Sequence, residues 1–328
     1  MKKSTTYILL LGALLATACA KEAEEDTTAA AERRVTSWIS VHHPDAQRTE
    51  DDIWIIDETP GDGEEWDLEG KGIAYVTVTT RDLEGSVSAT NDEAVARQIG
   101  SWSRTGYYGP SIWFASSGSL ADGYLAALDG MRIGGSRQVL LPSWTISGSA
   151  HILMDLCLKY QSDNVADYQI DRLKEFSARY MAGVDSTFYN AEDGDRFGFY
   201  FHSLSMVKDT EAMPSDTTVY INYTGRRLDG VVFDTTVADT AKFYGIYDSS
   251  KTYAPIPVYW GDTYDDIKIT SSKSDAVDGF QMTLWHMHPG EKAIGAFFSD
   301  LGYGSSGSGS SIPSYAPLSF TIEMVEEP

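Results

Sequence analysis

Leu120-Ala-Asp-Gly-Tyr-Leu-Ala-Ala-Leu-Asp-Gly-Met-Arg-Ile-Gly-Gly135 recurs further along the chain as Ala276-Val-Asp-Gly-Phe-Gln-Met-Thr-Leu-Trp-His-Met-His-Pro-Gly-Glu291. Asp122 aligns with Asp278, Gly123 with Gly279, Met131 with Met287 and Gly134 with Gly290, all at an offset of 156. Four matches in one register point to duplication. Upstream, Leu83-Glu-Gly85 answers Leu228-Asp-Gly230 at an offset of 145, so the second copy carries eleven more residues between the landmarks, which we assign to a loop. A period this long is that of tandem domains and not of a solenoid. An amphipathic helix is expected before each copy. These are Ala29 to Ser40, with Val35, Trp38 and Ile39 on one face, and Ala166 to Met181, with Ile170, Leu173, Phe176 and Tyr180.

Inside each copy the pattern is strand-dominated. Ile73 to Thr79 and Thr217 to Tyr223 alternate β-formers with polar residues, and the Leu-Glu-Gly or Leu-Asp-Gly that follows supplies a turn. The repeated Asp-Gly pair opens a short helix, which in the second copy places Val277, Phe280 and Leu284 on one face. The chain closes with Leu318 to Val325, where Leu318, Phe320, Ile322 and Met324 share a face at period two. The expected fold is α+β: two tandem domains, each an antiparallel sheet curled around a short helix and each preceded by a helix.

In the second copy, Tyr223-Thr-Gly-Arg-Arg-Leu-Asp-Gly-Val-Val-Phe233-Asp234 resembles the opening motif of the FKBP-type peptidyl-prolyl cis-trans isomerases. The resemblance continues in the family's order through Val277-Asp-Gly-Phe280, Gly290-Glu-Lys292, Tyr303-Gly304 and Ile312-Pro-Ser-Tyr-Ala-Pro-Leu318-Ser-Phe320. It implies that Tyr223, Phe233, Val277, Phe280 and Phe320 line a hydrophobic pocket for a prolyl ring and that Ile312 overhangs it. Asp234 and Tyr303 would be its catalytic polar residues. No cofactor is implied, and the partners would be proline-containing polypeptides. Two departures stand out: Phe280 replaces the frequent tryptophan of the pocket floor, and Ile267 stands where the family usually has an aromatic, with Trp260 or Tyr259 as candidate replacements. The first copy matches poorly at these positions. Val78 stands at the Tyr223 position, Ser88 at Phe233, Ala89 at Asp234 and Met154 at Phe320, and the Tyr303 loop has shrunk to Trp144-Thr-Ile-Ser-Gly148. Tyr124 alone remains, at the pocket floor. The first copy is therefore expected to fold alike without isomerising proline, serving to hold a chain, to dimerise or to act as a spacer.

The N-terminus begins Met1-Lys-Lys3, followed by an apolar run from Tyr7 to Ala18, too short to span a membrane. Leu15-Ala-Thr-Ala-Cys19 resembles a bacterial lipobox, which implies lipidation of Cys19 and a membrane anchor of acyl chains such as palmitate. The expected location is the outer membrane of a Gram-negative bacterium, facing the periplasm or the cell surface. Ala20 to Asp26 reads as a solvated acidic linker, or as a counterpart of the acidic tags that follow the lipidated cysteine in surface lipoproteins of the Bacteroidetes type. Cys157 is the only other cysteine, which leaves no internal disulfide in the exported chain. A net charge of −23 argues against nucleic acid as a partner. His42-His43 and His286-x-His288 lack a third ligand cluster, so no metal is expected. The Gly304 to Ser311 run does not open a helix as a phosphate loop would.

These readings divide the chain into a signal peptide (1–18), an acidic tether (19–28), a degenerate FKBP-like domain (29–163) and an isomerase domain (164–328). The function they imply is that of an envelope isomerase and chaperone that rotates X-Pro bonds without a covalent intermediate. The alternative is a non-catalytic FKBP-like module that docks proline-containing segments of envelope partners.

Overall fold

The computed structural model describes residues 27–148, 150–181, 187–188, 198–205, 213–270 and 276–328. The signal peptide, Cys19 and the tether up to residue 26 lie outside them. The described residues fall into two compact units, one ending at Asp45 and the other beginning at Ala46. In the first, α1 (Thr27–His42) buries Val35 and Ile39, two of the three residues expected on its apolar face, and ends with Trp38 stacked on His42 at 4.6 Å.

The second unit begins with β1 (Gln47–Arg48), β2 (Trp54–Thr59), β3 (Ile73–Arg81), β4 (Val87–Thr90), α2 (Glu93–Gln98) and β5 (Ser111–Phe114). It continues through α3 (Asp122–Leu128), β6 (Ser136–Leu141), β7 (Ile152–Ser162) and α4 (Val165–Tyr180). Then come β8 (Thr187–Phe188), β9 (Phe199–Ser203), β10 (Thr217–Arg227), β11 (Val232–Thr235), α5 (Ala238–Tyr244), β12 (Ile256–Trp260) and β13 (Lys268–Ile269). The last elements are α6 (Asp278–Trp285), β14 (Lys292–Phe297) and β15 (Leu318–Val325). The fold is α+β, with two sheets in which every strand pair is antiparallel.

The first sheet runs β1-β2-β6-β7-β3-β4, with β5 also on β3; the second runs β13-β12-β10-β15-β14-β9-β8, with β11 also on β10. Apart from β13, which pairs with β12 and has no counterpart in the first sheet, these are one topology. β3 and β10 occupy the same place, as do β7 and β15, β6 and β14, and β2 and β9. The register repeats as well. Thr79 pairs with Thr90 and Thr224 with Thr235, and each pair joins its hydroxyls, at 2.7 and 3.0 Å. A bulge follows one residue later in both, between Thr80 and Arg81 and between Gly225 and Arg226. The eleven extra residues of the second copy fall between β12 and α6, where Trp260 to Val277 replaces Ala115 to Ala121.

The landmarks of the repeat have physical reasons. Gly85 and Gly230 take φ of +91° and +89°, a region that side chains resist, and close the same turn by donating to Asp82 O and Arg227 O. In the Asp-Gly pair the glycine lets the helix approach its neighbour. A Cβ at Gly279 would lie 2.3 Å from Phe297 Cγ, and one at Gly123 would lie 2.5 Å from Thr145 Oγ1.

Each sheet closes over its helix. Val76, Leu128, Met131, Val139, Met154 and Leu156 centre the first core; Ile221, Phe280, Leu284, Phe297, Leu318, Phe320 and Ile322 centre the second. Full burial of such a side chain contributes about 1.5–3 kcal/mol. Helix α4 forms a third cluster, setting Ile170, Leu173 and Phe176 against Tyr200, Ile294 and Phe298. Asn164 caps it by accepting from Asp167 N at 2.9 Å. Gln169 fastens it by donating to Ser299 Oγ (2.9 Å) and accepting from Ser299 N (2.7 Å).

Candidate functional site

Strand β15 crosses the centre of the second sheet and turns Phe320 inward, which draws four rings around one residue. Phe280 from α6 meets it edge to face at 5.1 Å and 84°, and Phe233 from β11 at 5.6 Å and 81°. Phe297 stacks behind it at 5.9 Å, and Tyr223 of β10 lies at 6.0 Å. Tyr223 also meets Phe280 edge to face at 5.5 Å, closing the ring of contacts. Perpendicular pairs of this kind suit the aromatic quadrupole. Gly225, beside Tyr223 on β10, makes the gathering possible, because a Cβ there would come within 2.6 Å of Phe233 and 2.8 Å of Phe320.

Polarity enters at one edge. The Tyr223 hydroxyl donates to Asp234 Oδ2 at 2.5 Å, and Thr235 N donates to Asp234 Oδ1 at 2.9 Å. Lys251 forms an ion pair with the same carboxylate. Sequence reasoning missed Lys251, which lies in a polar loop with no pattern of its own. Tyr303 is 37 % exposed, and its hydroxyl makes no hydrogen bond among the described residues. It is near enough to feel the Asp234 charge and to act in turn on Tyr223.

Burial, the Asp234 charge and the hydrogen bond to it push the Tyr223 phenol well above the ordinary tyrosine range, with Tyr303 adding to the rise. Tyr303 is raised by burial first and by Asp234 second. Both hydroxyls keep their protons at neutral pH. The linkage has a definite sign. The folded state favours the neutral phenol, so its contribution to stability is whole below the unfolded value near 10 and is lost as pH rises toward the folded value. The urea midpoint should therefore fall above about pH 10, and fall less steeply in Tyr223→Phe. Equal slopes in wild type and variant would contradict this.

Of the remaining expected residues, Ile312 is buried in the same core, and Val277 packs against it as the N-cap of α6. The structure brings Tyr223, Phe233, Asp234, Val277, Phe280, Tyr303, Ile312 and Phe320 into one region. Ile267, at the position where an aromatic was expected, is buried in this core, and Trp260 belongs to the same core. The Trp260 ring stacks on Trp285 at 6.2 Å. Tyr259 points elsewhere, donating to Asp216 Oδ1 at 2.5 Å. His286 is bound to Met282 O at 2.8 Å through Nδ1, and His288 faces Glu291 at 3.3 Å.

The first copy confirms the sequence correspondence by register. Thr80 pairs with Met154 as Gly225 pairs with Phe320, so Met154 holds the Phe320 place. Tyr124 turns edge to face on Trp113 at 5.3 Å. The stretch between β6 and β7 has ten residues, 142–151, where the second copy has twenty between β14 and β15, 298–317. It has no counterpart of the Tyr303 loop.

A cavity of about 810 Å³ lies between the two sheets, lined by Tyr75, Tyr107, Phe114, Tyr168, Arg227 and Tyr315 among others. No sequence signal pointed to it. It borders the outer side of the loop that carries Ile312.

Residues 209–325 match the family model described as FKBP-type peptidyl-prolyl cis-trans isomerase. No curated protein matches the chain. Among solved structures, the three FKBP domains of wheat FKBP73 align at 15 % identity, covering 84 % of this chain and 94 % of that one, with a TM-score of 0.31. A peptidyl-prolyl cis-trans isomerase from Pseudomonas syringae pv. tomato aligns at 21 % identity over 50 % of this chain and 97 % of that one, with a TM-score of 0.32. FkpA from Escherichia coli aligns at 19 % identity over 49 % of this chain and 62 % of that one, with a TM-score of 0.32. The likeness to the FKBP-type peptidyl-prolyl cis-trans isomerase family thus lies in residues 209–325, the stretch that carries the motifs in the family's order.

Proposed function

We propose that the second copy is a working peptidyl-prolyl isomerase whose site is built from Tyr223, Phe233, Val277, Phe280, Ile312 and Phe320, with Asp234 and Tyr303 as its polar groups. The observation that carries this reading is the conjunction of perpendicular rings with one carboxylate held by the Tyr223 hydroxyl. Rotation about a peptide bond has a barrier of about 18–20 kcal/mol set by amide resonance, and X-Pro bonds populate both isomers. No nucleophile is required. An apolar aromatic pocket disfavours the charge-separated planar amide, and a positioned hydroxyl stabilises the rotated carbonyl. Tyr303, neutral at working pH and making no hydrogen bond among the described residues, supplies such a donor. Asp234 accepts from the Tyr223 hydroxyl and so fixes the orientation of that ring at the edge of the site.

The test is the rate of cis-trans exchange of an X-Pro tetrapeptide with the purified protein. Wild type should accelerate it, and Asp234→Ala or Tyr303→Phe should lower kcat/KM at least about tenfold, equivalent to about 1.4 kcal/mol. No acceleration by wild type would sink the reading; saturable peptide binding without acceleration would favour the docking module.

The proposal extends to place and clients: lipidated at Cys19, the protein would act on proline-containing polypeptides folding in a bacterial envelope. The lipobox-like segment before Cys19 supports this. Labelled palmitate should enter the wild-type chain and not Cys19→Ser when expressed in a Gram-negative host. Equal labelling of both would remove the anchor.

A further inference from the structure

We infer that the degenerate first copy braces the loop Ser308–Pro317 of the second copy, with Arg227 as the positioning residue. The claim rests on the isomerase reading only in naming what the loop overhangs. Arg227 ends β10 and its side chain is 2 % exposed. Its guanidinium uses all five of its donors. Nη1 donates to Ser311 O at 2.6 Å and to Thr105 O at 2.9 Å. Nη2 donates to Gly106 O at 2.7 Å and to Asp229 Oδ2 at 2.7 Å, and Nε donates to Asp229 at 3.1 Å. Thr105 and Gly106 belong to the first copy, and Ser311 to the loop. One buried cation therefore ties the two together, with Asp229 balancing its charge and Tyr107 lying 5.4 Å away on its face.

The turn itself does not call for arginine. In the first copy Asp82 occupies the Arg227 position, and the same turn forms, with Asp82 N donating to Ser86 O as Arg227 N donates to Val231 O. The arginine serves the contact across copies.

A second point of contact lies further along the loop. Tyr315 takes φ of +58°, uncommon for a residue with a side chain, and its ring rests on Phe114 of β5 at 5.5 Å. Between the two contacts sits Ile312, whose N–H donates to Ser308 O while Ser308 N donates to Ile312 O. The outer side of the loop borders the cavity of about 810 Å³, where Arg227 and Phe114 supply point contacts in place of a packed core. The first copy thus steadies the loop that carries Ile312 from two points, Arg227 and Phe114.

Hydrogen exchange in the full chain reads this without reference to activity. In Phe114→Ala and Arg227→Met, the amides of Ser308, Ile312 and Tyr315 should exchange at least tenfold faster than in wild type, with Arg227→Lys in between. The amides of Tyr223 and Thr236, in the β10–β11 hairpin, should be unchanged. In the X-Pro assay the same variants should raise KM severalfold and leave kcat close to wild type. Phe114 lies outside the pocket and is half-buried, so its variant decides the matter even where loss of Arg227 costs the fold. Unchanged exchange at the three loop amides in folded Phe114→Ala overturns the brace. If wild type shows no isomerase activity, the functional reading fails while the exchange rates still decide the brace.

Discussion

Phe320→Ala is expected to lower the unfolding free energy by about 3–5 kcal/mol, the usual cost of emptying a buried phenylalanine site. Phe320 is 5 % exposed and meets four other rings, so the void would have aromatic walls on several sides. Those walls have little freedom to collapse. Phe297 is pinned against Gly279, Phe280 is held on α6, and Tyr223 is tied to Asp234. Each lost edge-to-face pair adds about 0.5–1.5 kcal/mol beyond the area term. Urea unfolding measures the loss directly, and a change below about 1 kcal/mol would show that the rings do not depend on this centre.

Much of the fold was legible because duplication displays its own constraints. The Leu-x-Gly turn survives in both copies since each glycine adopts a positive φ, and the Asp-Gly pair survives since each helix glycine abuts a neighbouring side chain. The alternation of Leu318, Phe320, Ile322 and Met324 named the buried face of β15, and all four are buried. Motif spacing had also singled out Tyr223, Phe233, Phe280 and Phe320, the rings that the structure gathers together.

Other features depend on distant partners and left no local trace. Arg227 reads as one of two adjacent arginines, yet its burial is decided by carbonyls about 120 positions earlier. Lys251 is unremarkable until β11 and its loop meet. The Ile267 wall was uncertain because the eleven-residue insertion removed the frame of reference. In the structure that insertion carries Ile267 itself, with Trp260 at its start, into the core.

One scaffold is built twice, and in the function proposed above only the second copy carries a working site. Phe280 and Tyr124 occupy equivalent helix positions at an offset of 156, and each meets an aromatic neighbour edge to face. Their surroundings differ. Phe280 sits with Phe320 and with Tyr223, whose hydroxyl holds the Asp234 carboxylate, whereas Tyr124 shares its core with Trp113, Val78 and Met154. Leucine preserves most of the volume at either position and removes the ring. The deciding measurement is kcat/KM for an X-Pro tetrapeptide in wild type, Phe280→Leu and Tyr124→Leu, each shown to be folded by near-UV circular dichroism. The account predicts a loss of at least about tenfold for Phe280→Leu, and a rate within twofold of wild type for Tyr124→Leu. Equal losses in the two variants, or a loss confined to Tyr124→Leu, would contradict it.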